Sequence, residues 1–401
     1  MALQPNINAR VVYKAESAFG TAPANTGGQI LRRVRSSLVL NKDGFAPNEV
    51  RSDAQVADYR HGSRSVRGSI EGELSTATYD DLIEAAVRGT WATGVSCAPA
   101  DFATGVTPNG TSGTFTFAGA GSLITKGFKI GDVVAFTGLT GSNTTTNFRI
   151  VGLTATVMTV MPKPTTQAQV AAGWTCAVRG KKLLFGLNTP SFTFEQAMPD
   201  VDVSKLLTGC RVGGFALNAQ PNGNATISFD VLGQNQQILT GASSPYFPSP
   251  SVETTTGVLT AIDGSVRVNG SDVAIATALQ INMTNNLSNQ QVIGSTYSPD
   301  IFYGKSVVTG TLSAFLADET LINVFLNESN IDVAALMSGP AAATLPDFLG
   351  FSMQNVKFTG CTDQLETDGG VIAQFPFQAL LKTGGAATTY DQSTLVIQRS
   401  N

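Results

Sequence analysis

A unit of strand, long polar loop, strand and helix recurs along this chain, and it is clearest between Leu31 and Val87. It begins at Leu38-Val39-Leu40, crosses a stretch rich in Asp, Asn and Arg, re-enters a strand at Val66 and closes on the helix-like run Tyr79 to Val87. Looser echoes are read from Ser191 to Leu239 and from Ala278 to Asn327. Repetition without reactive constellations points to a building block.

The pattern inside the unit is strict. Val66, Gly68, Ile70, Gly72 and Leu74 fall on one side of a strand, and Arg67, Ser69, Glu71 and Glu73 on the other. A second run puts Asn224, Thr226, Ser228 and Asp230 opposite Ala225, Ile227, Phe229 and Val231. Most of the remaining chain reads as short alternating segments broken by Gly, Asn and Pro, the signature of half-buried antiparallel strands. One helix is expected after Thr78 as N-cap, with Asp80 and Asp81 in its first turn, Leu82, Ile83, Ala86 and Val87 as its buried stripe and Gly89 as its stop. Another is expected over Asp318 to Asn327 on the stripe Leu321, Ile322, Phe325 and Leu326.

A length of 401 residues suits two or three domains. Over residues 98–180 the texture turns to Gly, Thr and Ser with almost no acids, while Phe115 to Phe117, Val133 to Phe136 and Phe148 to Met161 still read as strands. The expected organisation is therefore a main β domain in two parts, residues 1–97 and 181–401, around a small inserted barrel-like β domain on the outside. The first part carries an N-terminal arm and a long hairpin loop over 41–66. The stretch from Gly241 to Gly270 reads as a connector, with Val258 to Ile262 and Val266 to Val268 as a hairpin.

Charge narrows the function. Charged residues make up 13% of the chain, against roughly a quarter in ordinary soluble domains. That leaves a neutral surface fit to be buried against copies. A net charge of -4 argues against a protein that grips nucleic acid by neutralising phosphates. No apolar run reaches the roughly 18 to 20 residues of a membrane helix, and Met1 to Arg10 lacks the basic start and apolar core of an export signal, so no membrane partner and assembly in a cytoplasm are expected.

Reactive chemistry finds little footing. Cys97, Cys176, Cys210 and Cys361 show no CxxC spacing, which favours buried free thiols, with a disulfide between some pair as the alternative. His61 is the single histidine and lies in the charged loop. Glu71 and Glu73 are too close along one strand to bracket a glycoside. Asp200-Val201-Asp202 lacks the Gly and downstream Glu of a calcium loop, and no phosphate-cradling or dinucleotide motif occurs. The expectation is no cofactor, no metal and no enzyme activity; a β-rich surface or carbohydrate-binding module is the alternative function.

The segments Val12-Tyr13-Lys14-Ala15-Glu16-Ser17-Ala18-Phe19-Gly20-Thr21-Ala22-Pro23, Leu31-Arg32-Arg33-Val34, Asn48-Glu49-Val50-Arg51-Ser52-Asp53, Val56 to Gly62 and Gly68-Ser69-Ile70-Glu71-Gly72-Glu73-Leu74 resemble the major tail tube proteins of siphophages, whose long tails do not contract. Gly310-Thr311-Leu312-Ser313-Ala314-Phe315 is similar to a later part of that family. The resemblance is strongest over residues 11–90. It implies a mainly β fold, a tail-tube sandwich or barrel with one or two short flanking helices, whose copies close into stacked rings, usually hexameric, around a channel for DNA. Whether six single copies or fewer, internally duplicated ones make a ring stays open. Implied partners are further copies of the chain, the tape measure, tail terminator and distal tail proteins, and phage DNA passing without specific binding; the implied location is the virion tail.

Under that resemblance Glu71, Glu73 and Asp230 become candidates for the channel wall, with a solvated outer face as the bland alternative. The loop over 41–66 becomes an arm between subunits, through Asp43, Glu49, Arg51, Asp53, Asp58, Arg60 and Arg64. Those charges could equally be solvated, or with Arg32, Arg33 and Arg35 form a nucleic-acid patch. Residues 287–304 are expected to stack rings, and Pro5 to Pro23 to brace an interface.

Overall fold

The structure, a computed structural model, describes residues 3–400 apart from 51, 57, 103–104, 274, 341–342, 365–368 and 385–386. It is mainly β, as period-two alternation requires. Near the N-terminus β1 (Arg10–Ala15) pairs with β2 (Gln29–Ile30), while β3 (Arg35–Ser36) and β4 (Val39–Phe45) lie end to end along β5 (Arg60–Glu73). Then come α1 (Asp80–Val87) and, after a long insertion, β6 (Phe192–Met198), β7 (Val203–Ala219), β8 (Thr226–Gly233) and β9 (Asn235–Thr240).

The same order then runs again. It comprises β10 (Thr260–Val268), β11 (Ser271–Asp272), β12 (Ala276–Thr284), β13 (Val307–Phe315), α2 (Thr320–Leu326), β14 (Ile331–Ser338), β15 (Phe348–Phe358) with its continuation β16 (Thr362–Gln364), β17 (Ile372–Ala379) and β18 (Val396–Arg399). Pairings repeat with the order. In the first unit β2-β1-β6-β7-β9 form one sheet and β4-β5-β8-β7 the other. In the second, β11-β10-β14-β15-β18 answers the first sheet and β12-β13-β17-β16 the other. The chain is thus two tandem copies of one sandwich. The true repeat of the Leu31–Val87 hairpin and helix is β12 to α2; the stretch Ser191 to Leu239, read as a further echo, is instead the closing strands of the first copy and contains no α-helix.

The copies join along one strand. The N-terminal half of β7 lies between β6 and β9, and its C-terminal half between β8 and β12, with a bulge at Val212/Gly214 where it changes sheets. The pairing of β7 with β12 runs from Gly214 opposite Thr284 to Ala219 opposite Leu279. Gly214 is required there, because a Cβ would stand 1.9 Å from the Met283 carbonyl oxygen. Eight strands therefore run unbroken as β4-β5-β8-β7-β12-β13-β17-β16. One apolar cluster underlies both copies, and the rings of Phe215 and Phe351 meet across it at 6.1 Å.

Local details follow packing more than propensity. Gly72 leaves room for Tyr79, whose hydroxyl would lie 1.8 Å from an added Cβ and donates to the Arg32 carbonyl at 2.9 Å. Thr78 does not cap α1; its hydroxyl is taken by Ser75 and Thr254, and Tyr79 occupies the cap position. The helix stops at Arg88 in the left-handed region (φ 60°), one residue before the expected Gly89. The hairpin expected within Gly241 to Gly270 is one strand, β10. Residues 10–15, expected to belong to an interface brace, pair with β2 and β6 of the same chain.

The insertion forms its own seven-stranded sheet between Ser96 and Val178 over a core of stacked rings, with Phe115 and Phe136 at 4.0 Å and Trp174 buried beside Phe117. It is pinned to the tandem sandwich by Lys182, whose ammonium sits 2.6 Å from Asp132 and 2.7 Å from Asp391. Burial alone would lower the Lys182 pKa, but the two carboxylates outweigh it and hold the group above its ordinary value. The four cysteines are free, three of them buried.

Gly214→Ala is expected to cost about 1–3 kcal/mol by overpacking the joint, while Gly223→Ala, with open space around it, stays within about 0.5 kcal/mol of wild type. Urea denaturation of the two variants checks this.

Candidate assembly interface

The eight-strand sheet presents one face to the core and the other to water. On β5, Val66 and Ile70, and Leu74 directly after it, are fully buried while Arg67 is exposed and Ser69, Glu71 and Glu73 are half-buried on the far side. Register puts Glu71 beside Ser228, Glu73 beside Thr226 and Ser69 beside Asp230. The three acids picked from the sequence therefore share one face of two neighbouring strands. Asn224 donates to Glu73 at 2.9 Å, and Ser69 to Glu71 at 3.4 Å. Partial burial raises the Asp230 pKa, with Arg67 pulling the other way.

Farther along, this face is neutral. Asn282 and Gln280 of β12, Thr309, Thr311 and Ser313 of β13 and Gln374 and Gln378 of β17 continue it. The tandem copies differ here: β5 reads Gly68-Ser69-Ile70-Glu71-Gly72-Glu73 where β13 reads Gly310-Thr311-Leu312-Ser313-Ala314-Phe315, with Ile70 opposite Phe229 and Leu312 opposite Phe375. Carboxylates on these strands thus belong to the first copy alone. The clustered arginines do not make a basic patch. Arg32 donates to the Thr256 carbonyl and Arg33 to the Ala9 carbonyl, each at 2.7 Å, and Arg35 lies opposite Glu71 in the register.

Two hairpin excursions leave the sheet. The β4–β5 pairing ends at Phe45 opposite Arg60, so the arm proper is residues 46–59. Of the charges expected on the arm, Asp43, Arg60 and Arg64 lie instead on β4 and β5, and some are spoken for within the chain: Arg60 pairs with Asp58 at 3.0 Å, and Ser63 donates to Asp43 at 2.6 Å. The Asp53 carboxylate accepts from the Gln55 amide at 3.3 Å, Glu49 is exposed, and Arg51 lies outside the described residues. Between β12 and β13, the excursion over 285–306 is held down by Arg211, which bonds the Ile301 carbonyl and pairs with Asp300 at 3.0 Å. This second excursion touches β5 near the base of the first, since the Arg64 amide donates to the Thr296 carbonyl at 2.8 Å and its guanidinium lies over Tyr297.

Sequence reading fastened on the charges and passed over the apolar tips. Val50 and Ile293 are fully exposed, and Phe45, Val56, Tyr59 and Phe302 are exposed beside them. Several apolar residues gathered in one polar loop, Val50 with Val56 and Val292 with Ile293, are the signal that could have found them. His61 is exposed against Tyr59, and Asp200 accepts from Asn8 at 2.9 Å, while no cluster of metal-ligating side chains occurs among the described residues. No helix among them is long and apolar enough to cross a membrane.

A sheet face made mostly of uncharged polar side chains, apolar loop tips and, among the described residues, two sheet edges without backbone partners define a structural protein that meets copies of itself. The family model described as phage tail tube protein matches residues 6–379, and the chain belongs to that family. It is accordingly a structural, non-enzymatic virion component. No curated protein matches the sequence.

Deleting residues 46–59 is expected to leave the circular dichroism of the fold intact while abolishing assembly seen by electron microscopy. Global unfolding would contradict the arm's independence of the core.

Proposed function

We propose that this chain is the major tube subunit of a long noncontractile siphophage tail. Its copies close into rings with the water-facing side of the eight-strand sheet as the inner wall, and rings stack through the excursions 46–59 and 285–306. Six sandwich units make a ring, matching the hexameric rings that the family resemblance implies. DNA travels along the bore from capsid to host, and the seven-stranded insertion faces outward. The tape measure, tail terminator and distal tail proteins are its partners along the tail, and assembly takes place in the host cytoplasm.

The observation that carries this reading is the composition of the sheet face. Three carboxylates, Glu71, Glu73 and Asp230, stand there with two guanidiniums, Arg35 and Arg67, among Ser, Thr, Asn and Gln. A duplex carries one charge per about 1.7 Å, and adhesion to it grows with every phosphate neutralised. A single pair of like charges about 10 Å apart in water repels by only about 0.4 kcal/mol before screening. Such a wall neither grips the polymer nor opposes its passage, and hydroxyls and amides keep it wet.

Purified protein imaged by electron microscopy is expected to form hollow tubes of uniform width with a regular axial repeat; persistent monomers would count against the reading. Tubes carrying Glu71→Lys and Glu73→Lys are expected to retain linear DNA at low salt and release it as salt rises, whereas wild-type tubes retain none. Equal retention by both would remove these residues from the bore.

A further inference from the structure

The internal joint between the tandem sandwiches shows how one chain meets the next. Among the described residues the outer edges of β16 and β4 have no backbone partner, and the Gln196 side chain reaches only the Leu38 carbonyl just before β4. These two edges are the second-copy and first-copy counterparts of the strands that pair at the joint. Met283 lies opposite Val308 as Leu40 lies opposite Val66, so β12 corresponds to β3 and β4. Thr362 lies opposite Gln374 as Ala216 lies opposite Ser228, so β16 corresponds to the end of β7.

We propose that β16 of one chain pairs antiparallel with β4 of a second copy in the register of the internal joint, and that three chains close the ring. This rests on the ring-and-tube reading above. At the joint Ala216 faces Asn282, so across chains Thr362 faces the neighbour's Val39. Val39 is an apolar side chain left 51% exposed on the edge of the polar face, and this pairing covers it. The same shift of register delivers Lys42 where Asn285 stands in the joint. Asn285 donates to the Ala86 carbonyl in the last turn of α1 at 2.7 Å. Lys42 thereby reaches the last turn of α2, where a cation suits the helix dipole. A hollow of about 320 Å³ lined by Phe325, Lys357, Phe358 and Leu380 opens in this region.

Copy number follows from the duplication, because each chain fills two of the six positions. Eight strands per chain, each taking about 6 Å of circumference at a tilt near 40°, give three chains a backbone circle about 48 Å across and six chains one about 96 Å across. The larger circle is far wider than one duplex requires.

Directly opposed residues in antiparallel strands lie about 4.5–5.5 Å apart at Cα, within disulfide reach. Tubes of Val39→Cys/Thr362→Cys in a Cys361→Ser background are therefore expected to shift, on mild oxidation, from the monomer band to dimer and trimer and no further. Asn41→Cys/Thr362→Cys, displaced by two residues, is expected to cross-link far less. Tubes present on the grid but not cross-linked, or a ladder running past three, would overturn the proposal while leaving the tube reading standing. End-on averages of wild-type tubes supply a readout without substitutions. The insertion occurs once per chain, so three outer lobes per ring are expected and six would overturn the proposal.

Discussion

The backbone of a strand must be paired on both edges or leave a row of donors and acceptors open, and that requirement organises this molecule. Inside the chain it is met where the end of β7 lies against β12, at a crossing so close that Gly214 admits no side chain. The two sandwiches share a core through Phe215 and Phe351 because that joint brings their sheets into one. Among the described residues the outer edges of β4 and β16 have no backbone partner, and the proposed pairing between chains answers that need. The proposed closure into a ring would pair both edges of the eight-strand sheet, which a lone copy cannot do.

Duplication also loosens the constraint that both copies carry the same surface. Glu71 and Glu73 in the first sandwich answer to Ser313 and Phe315 in the second, although the strands share their apolar positions. Keeping the buried side apolar in both copies keeps the fold, while the water-facing side is free to differ in charge. The same divergence appears in the helices. Five residues of α1 are buried, from Leu82 to Val87, whereas none of α2 is.

What could be read without coordinates was whatever depends on neighbours in sequence. Alternation over Val66 to Leu74 and the stripe Leu82, Ile83, Ala86 and Val87 are local patterns, and each matches the burial found in the structure. Period two alone put Glu71 and Glu73 on one side of β5. That Asp230 shares that side needed the β5–β8 register, a contact across some 160 residues of chain. Thr78 misled because tertiary hydroxyl partners, Ser75 and Thr254, outbid the helix N-terminus. Ser191 to Leu239 imitated the repeat because strand and loop textures are alike wherever one face is wet. The internal joint left no local trace beyond a pair of glycines, Gly213 and Gly214, at a bulge.

Amide hydrogen exchange on unassembled chains and on tubes tests most directly whether copies complete one another's sheets. Slow exchange at Val39–Lys42 and Thr362–Gln364 in tubes, against fast exchange in the free chain, is the predicted result. Equal rates at those amides in both states, with β7 and β12 protected throughout, would contradict it.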